Sequence, residues 1–413
     1  MKSILVVEDS ALVLKVIRHV LSQSPLIEVT YTQSFAEARE QIESGKAFFA
    51  ALVDLSLPDA PDGEVVDFTL EHGIPTIVLT GSFDDDRRDA LLNRGIVDYV
   101  TKEGRYSYEL ALQTLHRLIK NEGMRVLIVD DSSTQRTVLR QRLQRHLFDV
   151  LEAENGVEAI KTLIEQPDIQ LLITDYNMPR MNGCELVKNL RIKYEKSDLV
   201  IIGVSSEEER SLSAKFIKQG ANDFLKKPYN HEELFCRVNH NLEFLELIEK
   251  IRDASNRDEF TGVYNRQYFF RRGQALYDQT LERNKPVAAA LIDLDHFSRV
   301  NEQYGHEVGD QLMYQIAQRL QDIFGRFLFA RADGQTFYVL MPGLTNDQAC
   351  EYVEKVRQII CAEDFVTESA TVHLTFTAGV SNRGENGLDD VLAMAQRCLK
   401  RAKEAGGDLV FGD

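Results

Sequence analysis

The sequence predicts a multidomain α/β protein: two copies of one parallel-sheet domain, then an α+β domain of a different pattern. Three observations carry that prediction. The length, 413 residues, exceeds one ordinary domain and fits two to four. The chain repeats itself at domain length: Ile4-Leu-Val-Val-Glu-Asp-Ser10 recurs as Val126-Leu-Ile-Val-Asp-Asp-Ser132, and Ala51-Leu-Val-Asp-Leu-Ser-Leu-Pro58 as Leu172-Ile-Thr-Asp-Tyr-Asn-Met-Pro179. Beyond Asp258 that rhythm gives way to a strand, a helix and a β-hairpin around Asp333-Gly334, a pair that tolerates the positive φ of a tight turn.

Taken in order, the first copy pairs β-branched runs with helical patterns such as Leu12–Leu21, and the second does so with Thr134–Leu147. Ile77-Val-Leu-Thr80 answers Ile201-Ile-Gly-Val-Ser205, and Asp98-Tyr-Val-Thr-Lys102 answers Asp223-Phe-Leu-Lys-Lys227. This alternation implies a parallel sheet covered by helices on both faces, with a crevice at the carboxyl ends of its strands. Leu110–Ile119 reads as the last helix of the first copy, and Gly123 as its stop. So short a connection predicts a rigid pair. The boundaries are 1–121 and 122–240 for the two copies, 241–257 for a helical stalk and 258–413 for the last domain. Along the stalk Val238, Leu242, Leu245 and Ile248 or Ile251 form an apolar stripe. It could cover its own domain or zip against a second chain, and the zip, hence a homodimer, is the expectation. In the last domain the patterns predict a strand at Val287–Asp293, a helix at Met313–Phe324, the hairpin, a helix at Gln348–Ile360, a strand at Val372–Val380 and a helix at Leu388–Glu404.

Composition narrows the function classes. A net charge of −17, with no basic stripe, argues against a nucleic-acid binder. The opening apolar run is too short and too acidic for a signal peptide, and no stretch reaches membrane-span length, so a cytoplasmic protein without membrane contact is expected. Cys184, Cys236, Cys350, Cys361 and Cys398 are scattered without metal or disulfide spacing.

Each copy places an acidic pair after its first strand, a lone Asp after its third, a hydroxyl after its fourth and a Lys after its fifth. Clustered carboxylates repel unless a cation sits among them, so bound Mg²⁺ is implied, and the lone Asp becomes the best phosphoryl acceptor. A lone Asp can merely cap a helix, and a buried Lys can merely neutralise a carboxylate. Five such residues recurring twice in one order argue against both. The constellation resembles the response-regulator receiver family, with a flavodoxin-like (βα)5 fold. The resemblance implies that Glu8, Asp9 and Asp54 hold metal in the first copy, with Asp54 phosphorylated, Thr80 and Lys102 contacting the phosphoryl group, and Tyr99 at the rotamer-switch position. The same roles fall to Asp130, Asp131, Asp175, Ser205, Lys227 and Phe224 in the second copy. It also implies a histidine kinase or phosphotransfer protein as donor. Asp175 to Gly183 keeps the family's Asp-x-x-Met-Pro-x-x-x-Gly loop. The first copy has one extra residue between Asp54 and Gly63, two further acids (Asp59 and Asp62), and Glu103 where the second has Pro228.

The last domain carries Asp258-Glu-Phe-Thr-Gly-Val-Tyr-Asn-Arg266, Ile292-Asp-Leu-Asp-His-Phe297, Asn301 and Gly305-His-Glu-Val-Gly-Asp310 ahead of Arg331-Ala-Asp-Gly-Gln-Thr-Phe337. It resembles the GGDEF family of diguanylate cyclases, with an α+β palm-like nucleotide-cyclase fold. The signature reads Asp333-Gly334-Gln335-Thr336-Phe337, so both acidic positions that the family uses with Asp293 to hold metal on GTP are uncharged. Mg²⁺ sites are usually built from carboxylates and substrate phosphates. By resemblance Asn301 and Asp310 are the guanine-binding positions and Lys403 contacts phosphate, but Gly407 stands where an Arg is expected. Phe324-Gly-Arg-Phe327 occupies the place of the family's inhibitory Arg-x-x-Asp motif. The leading expectation is a phosphorylation-controlled regulator whose degenerate cyclase domain binds another, unidentified, output protein, with GTP binding left open. The rivals are a diguanylate cyclase with unusual metal ligation and a phosphate sink for a histidine kinase.

Overall fold

The computed structural model describes residues 1–81, 85–206, 212–367, 369–384 and 387–413. They form two compact units, Met1–Ile248 and Glu249–Asp413. In the first repeat, β1 (Lys2–Val7), β2 (Ile27–Thr32), β3 (Ala50–Asp54), β4 (Thr76–Thr80) and β5 (Asp98–Thr101) alternate with five helices. These are α1 (Ala11–Leu21), α2 (Phe35–Glu43), α3 (Glu64–Glu71), α4 (Asp85–Arg94) and α5 (Arg105–Asn121). All strands are parallel in the order β2-β1-β3-β4-β5.

The second repeat follows the same plan with β6 (Arg125–Val129), β7 (Asp149–Ala153), β8 (Ile169–Asp175), β9 (Val200–Ser205) and β10 (Asp223–Lys226). Its helices are α6 (Ser133–Arg145), α7 (Gly156–Glu165), α8 (Gly183–Leu190), α9 (Leu212–Gln219) and α10 (His231–Asn256), and its strand order is β7-β6-β8-β9-β10. Side chains alternate across a strand, so each sheet feeds two cores. Ile4 and Val6 pack on one face of β1 and Leu5 and Val7 on the other. That two-sided burial is why these strands read as continuous apolar runs. Strand order reverses between β1 and β3, which opens the crevice where the acidic residues meet.

The two repeats are tied together within one unit. Arg117 Nη1 lies 2.6 Å from Glu246 Oε1, and Lys120 pairs with the same carboxylate. Arg145 Nη1 donates to Leu92 O at 3.0 Å, capping the end of α4, and Asn121 Nδ2 donates to His146 O at 3.1 Å. The helix α10 is continuous across the predicted stalk. Its Val238, Leu242 and Leu245 are buried in the core of the second repeat, so that part of the stripe covers its own domain rather than a partner. Phe244, Leu247 and Ile251, at three- and four-residue steps, are the large apolar side chains of α10 left exposed.

In the second unit α11 (Arg266–Glu282), β11 (Val287–Leu294), α12 (Phe297–Tyr304) and α13 (His306–Phe324) precede the hairpin β12 (Leu328–Asp333) and β13 (Thr336–Pro342). Then follow α14 (Asn346–Ile360), β14 (Asp364–Val366), β15 (Thr371–His373), β16 (Phe376–Ser381), α15 (Leu388–Glu404) and β17 (Val410–Phe411). The main sheet runs β12-β13-β11-β16-β17, with every residue of β11 buried at its centre. Asp333 pairs with Thr336, leaving Gly334, with φ +53°, and Gln335 as a two-residue turn. The run Val372–Val380 is not one strand. Residues 371–373 pair with β14, and the chain breaks at Thr375, whose hydroxyl donates to Asp295 at 2.8 Å, before β16 joins the main sheet.

Candidate functional sites

In the first receiver-like repeat, Ser10 ends the turn after β1 by accepting from Val13 N, which starts α1 and leaves Glu8 and Asp9 at the crevice. Carboxylate oxygens of Glu8, Asp9 and Asp54 lie within 4.8 Å of one another, a hard-oxygen donor set that suits Mg²⁺. Lys102, just past β5, reaches across the crevice to Glu8 Oε2 and Asp54 Oδ2, both at 2.7 Å. The second repeat reproduces the lysine bridge. Lys227 Nζ lies 2.9 Å from Asp130 Oδ2 and 2.8 Å from Asp175 Oδ1, with Asp131 exposed beside them. An open pocket of about 820 Å³, lined by Asp130, Asp131, Asp175, Lys227, Arg142 and Tyr229 among others, gives a donor access. Thr80 and Ser205 are buried at the carboxyl ends of β4 and β9, and Tyr99 and Phe224 stand half-buried on β5 and β10.

Burial pushes the Asp175 carboxyl above its usual range, against the opposing pull of Lys227. Burial likewise raises Glu8, with Lys102 opposing. For the two lysines burial acts downward, but the hydrogen bonds and charges of their paired acids outweigh it and hold both ammonium groups above the ordinary value. Each site therefore holds a fixed cation between two acids.

The Asp175 loop depends on Gly183 for a reason the motif alone does not disclose. Its φ is ordinary, but a Cβ there would lie 2.3 Å from Asp175 O and 2.9 Å from the Phe216 ring. Because the obstacle is the backbone of Asp175 itself, Gly183→Ala is expected to cost about 2–3 kcal/mol and to displace Asp175. Thermal melting together with phosphoryl labelling would read both effects, and unchanged labelling would count against a fixed loop.

Sequence reasoning missed two features. Asp59, one of the two extra acids, does not face the pocket: its carboxylate accepts from Phe35 N and Ala36 N, each at 3.0 Å, and so caps α2. Those hydrogen bonds hold its carboxyl below the usual range. Arg136 is buried behind the acid pair and donates to Asp130 O at 2.7 Å. Neither contact leaves a local sequence signal.

In the second unit the hairpin turn brings Gln335 and Thr336 to Asp293 on β11. Thr336 Oγ1 donates to Asp293 Oδ2 at 3.0 Å, Gln335 Nε2 approaches Oδ1 at 3.4 Å, and Lys403 Nζ lies 2.6 Å from Oδ1. Both oxygens of the one acid kept from the signature's metal set are met by donors, one of them a cation. This arrangement does not fit a metal held at Asp293. Asn301 lies within α12, its Oδ1 buried without a hydrogen-bond partner, where Gly309 makes room for it; Asp310 is exposed near the start of α13. At the place of the inhibitory motif Phe324 is core, and Arg326 lies 4.6 Å from the ring centroids of both Phe327 and Tyr352.

Comparison with known proteins finds two receiver domains and a GGDEF domain. The receiver model, "Response regulator receiver domain", matches residues 4–108 and 126–239, more than half of the chain. The chain belongs to the response-regulator receiver family. The "Diguanylate cyclase, GGDEF domain" model matches residues 255–408 of this regulator. The regulator is 26% identical over 302 residues to Response regulator PleD of Caulobacter vibrioides, a match covering 70% of this chain and 66% of PleD, just under two thirds of its length. It is 44% identical over 112 residues to a chemotaxis protein CheY homolog of Campylobacter jejuni, covering 27% of this chain and 86% of that one. A solved two-component system response regulator/GGDEF domain protein aligns at 43% identity with a TM-score of 0.55, covering 60% of this chain and all of that one. No helix among the described residues is long and apolar enough to cross a membrane.

Proposed function

We propose that this chain is a cytoplasmic, phosphorylation-controlled regulator that accepts phosphoryl groups on Asp175 and Asp54 from a histidine kinase or phosphotransfer protein. Its cyclase-like domain makes no cyclic di-GMP and acts by binding another protein. The observation that carries the second half is the Lys403, Gln335 and Thr336 set on Asp293. A metal there would have to displace an ammonium group and two hydrogen-bond donors and would gain no second carboxylate from the signature. In the receivers the carboxylates would hold Mg²⁺, which screens the charge of acceptor and donor, while Lys102 or Lys227 pairs with the transferred group. The exposed Phe244, Leu247 and Ile251 support a homodimer through the stalk.

One observation favours GTP binding without turnover as a second reading. The Asn301 carboxamide oxygen is a buried acceptor without a partner, which a guanine N–H would satisfy. The test is purified chain with Mg²⁺ and GTP, with and without beryllofluoride, following bound nucleotide and product. No cyclic di-GMP is expected in either state. Product above that of a Gln335→Ala control would overturn the inactive reading, and nucleotide retained without product would select the second one.

A further inference from the structure

We propose that Arg136 is a positioning residue that holds the Asp130–Asp131 pair of the second receiver in its metal-binding orientation, an inference that rests on the phosphoacceptor reading above. The Arg136 guanidinium is buried at the end of the first turn of α6. Nη1 donates to the backbone oxygens of Asp130 at 2.7 Å and Asp131 at 3.3 Å. Nε donates to Glu152 Oε2 and Nη2 to Glu154 Oε1, both at 3.0 Å. Arg140 Nη1 forms an ion pair with Glu152 Oε1 at 2.9 Å. One planar fork thus ties the two peptide groups that carry the acid side chains to the neighbouring edge strand.

Arg136 sits between two carboxylates, Glu152 and Glu154, so its charge is balanced behind the pocket. What it adds at the pocket is orientation. Asp131 gains most, because it is exposed and its direction is set by its backbone.

The first receiver shows what the alternative looks like. Leu14 occupies the equivalent position after Ser10 and is part of the apolar core. Tyr31 stands where Glu152 would be, with Arg18, the counterpart of Arg140, 4.3 Å above its ring. Among the described residues no guanidinium fork holds the acid loop there. Two receivers with acids at matching positions therefore differ in how those acids are held, and groups that orient metal ligands commonly change affinity by about tenfold or more.

The test uses the full chain carrying Asp9→Ala and Asp54→Asn, which leaves only the second receiver to read. Mg²⁺ affinity is measured by calorimetry, and phosphorylation of Asp175 by acetyl phosphate is followed as a function of Mg²⁺. Arg136→Leu is expected to weaken Mg²⁺ binding about tenfold. It should shift the Mg²⁺ needed for half-maximal labelling by the same factor, with the rate at saturating Mg²⁺ close to that of the parent. Arg136→Lys, which can still donate to Asp130 O, should recover part of the loss. Glu154→Gln, an exposed change that loosens one arm of the fork, should fall between and stays informative if Arg136→Leu fails to fold. Unchanged Mg²⁺ affinity in Arg136→Lys and Glu154→Gln, or a fall in saturating rate with no change in half-saturation, would overturn the proposal. A parent that takes up no phosphoryl group would overturn the phosphoacceptor reading itself, while the calorimetry still decides whether Arg136 orients a cation site.

Discussion

Lys227→Met should destabilise the second receiver by about 3 kcal/mol at neutral pH and, with Asp54→Asn present, cut phosphoryl uptake at Asp175 by roughly tenfold or more. Lys227 is the cation between Asp130 and Asp175, and all three side chains are at least four-fifths buried. Removing it leaves two acids facing each other in a site where burial already raises Asp175. An incoming phosphoryl group would add further negative charge with one fewer group to meet it.

The sign of the pH dependence follows. A buried acid with a raised pKa favours its neutral form in the fold, so the stability this contributes is present at low pH and lost as pH rises through the folded value. The variant should therefore recover towards the parent as pH falls from 7.5 to 5. Melting curves across that range would decide the matter: a deficit that stays constant would mean the loss is one of packing rather than charge.

Acidification should loosen the joint between the receivers. His146 is buried there, its ring stacked on Phe235 with centroids 3.4 Å apart and its Nε2 3.4 Å from Nε2 of His231, which also contacts Val97 O at 3.0 Å. Burial, then the neighbouring His231, holds His146 well below the ordinary 6.5, and burial also lowers His231. Arg142 and Arg145 on α6 act in the same direction; the Val97 carbonyl and Glu232 on α10 oppose it at His231.

For a histidine depressed in the fold, stability is complete above 6.5 and lost below it. Each pH unit over which the folded ring stays neutral while the unfolded one is charged costs about 1.4 kcal/mol. Asp98 on β5 works against this, because burial raises its carboxyl to about 6 and its contribution grows as pH falls. Two rings against one carboxyl leave a net loss on acidification. His146→Phe, which keeps the stacked ring, should flatten the decline in melting temperature between pH 6.5 and 5, and Asp98→Asn should steepen it. Parallel curves for all three chains would show that these groups do not govern the joint.

How much of this was legible in the sequence depends on how far apart the interacting groups lie. The acids, hydroxyls and lysines of both receivers stand at or just beyond strand ends, and the parallel sheet delivers every strand end to one crevice. Finding β-branched runs was therefore enough to bring Glu8, Asp54 and Lys102 together, and repetition as Asp130, Asp175 and Lys227 made the pattern specific. The missing acidic pair at Gln335 and Thr336 was equally plain, because a hairpin turn is local.

The sequence by itself determined the fold class, the two acid-and-lysine pockets and the altered signature. Only the tertiary structure decided what those residues touch. It put Lys403, from a helix far along the chain, on the Asp293 carboxylate; turned Asp59 away from Asp54 to cap α2; set Arg136 behind the acid pair; and paired His146 with His231 against Val97. It also spent Val238, Leu242 and Leu245 on their own domain. Strand and turn patterns are written by neighbouring residues, whereas the partner of a buried charge or an apolar stripe is chosen by whichever surface the packed chain brings against it.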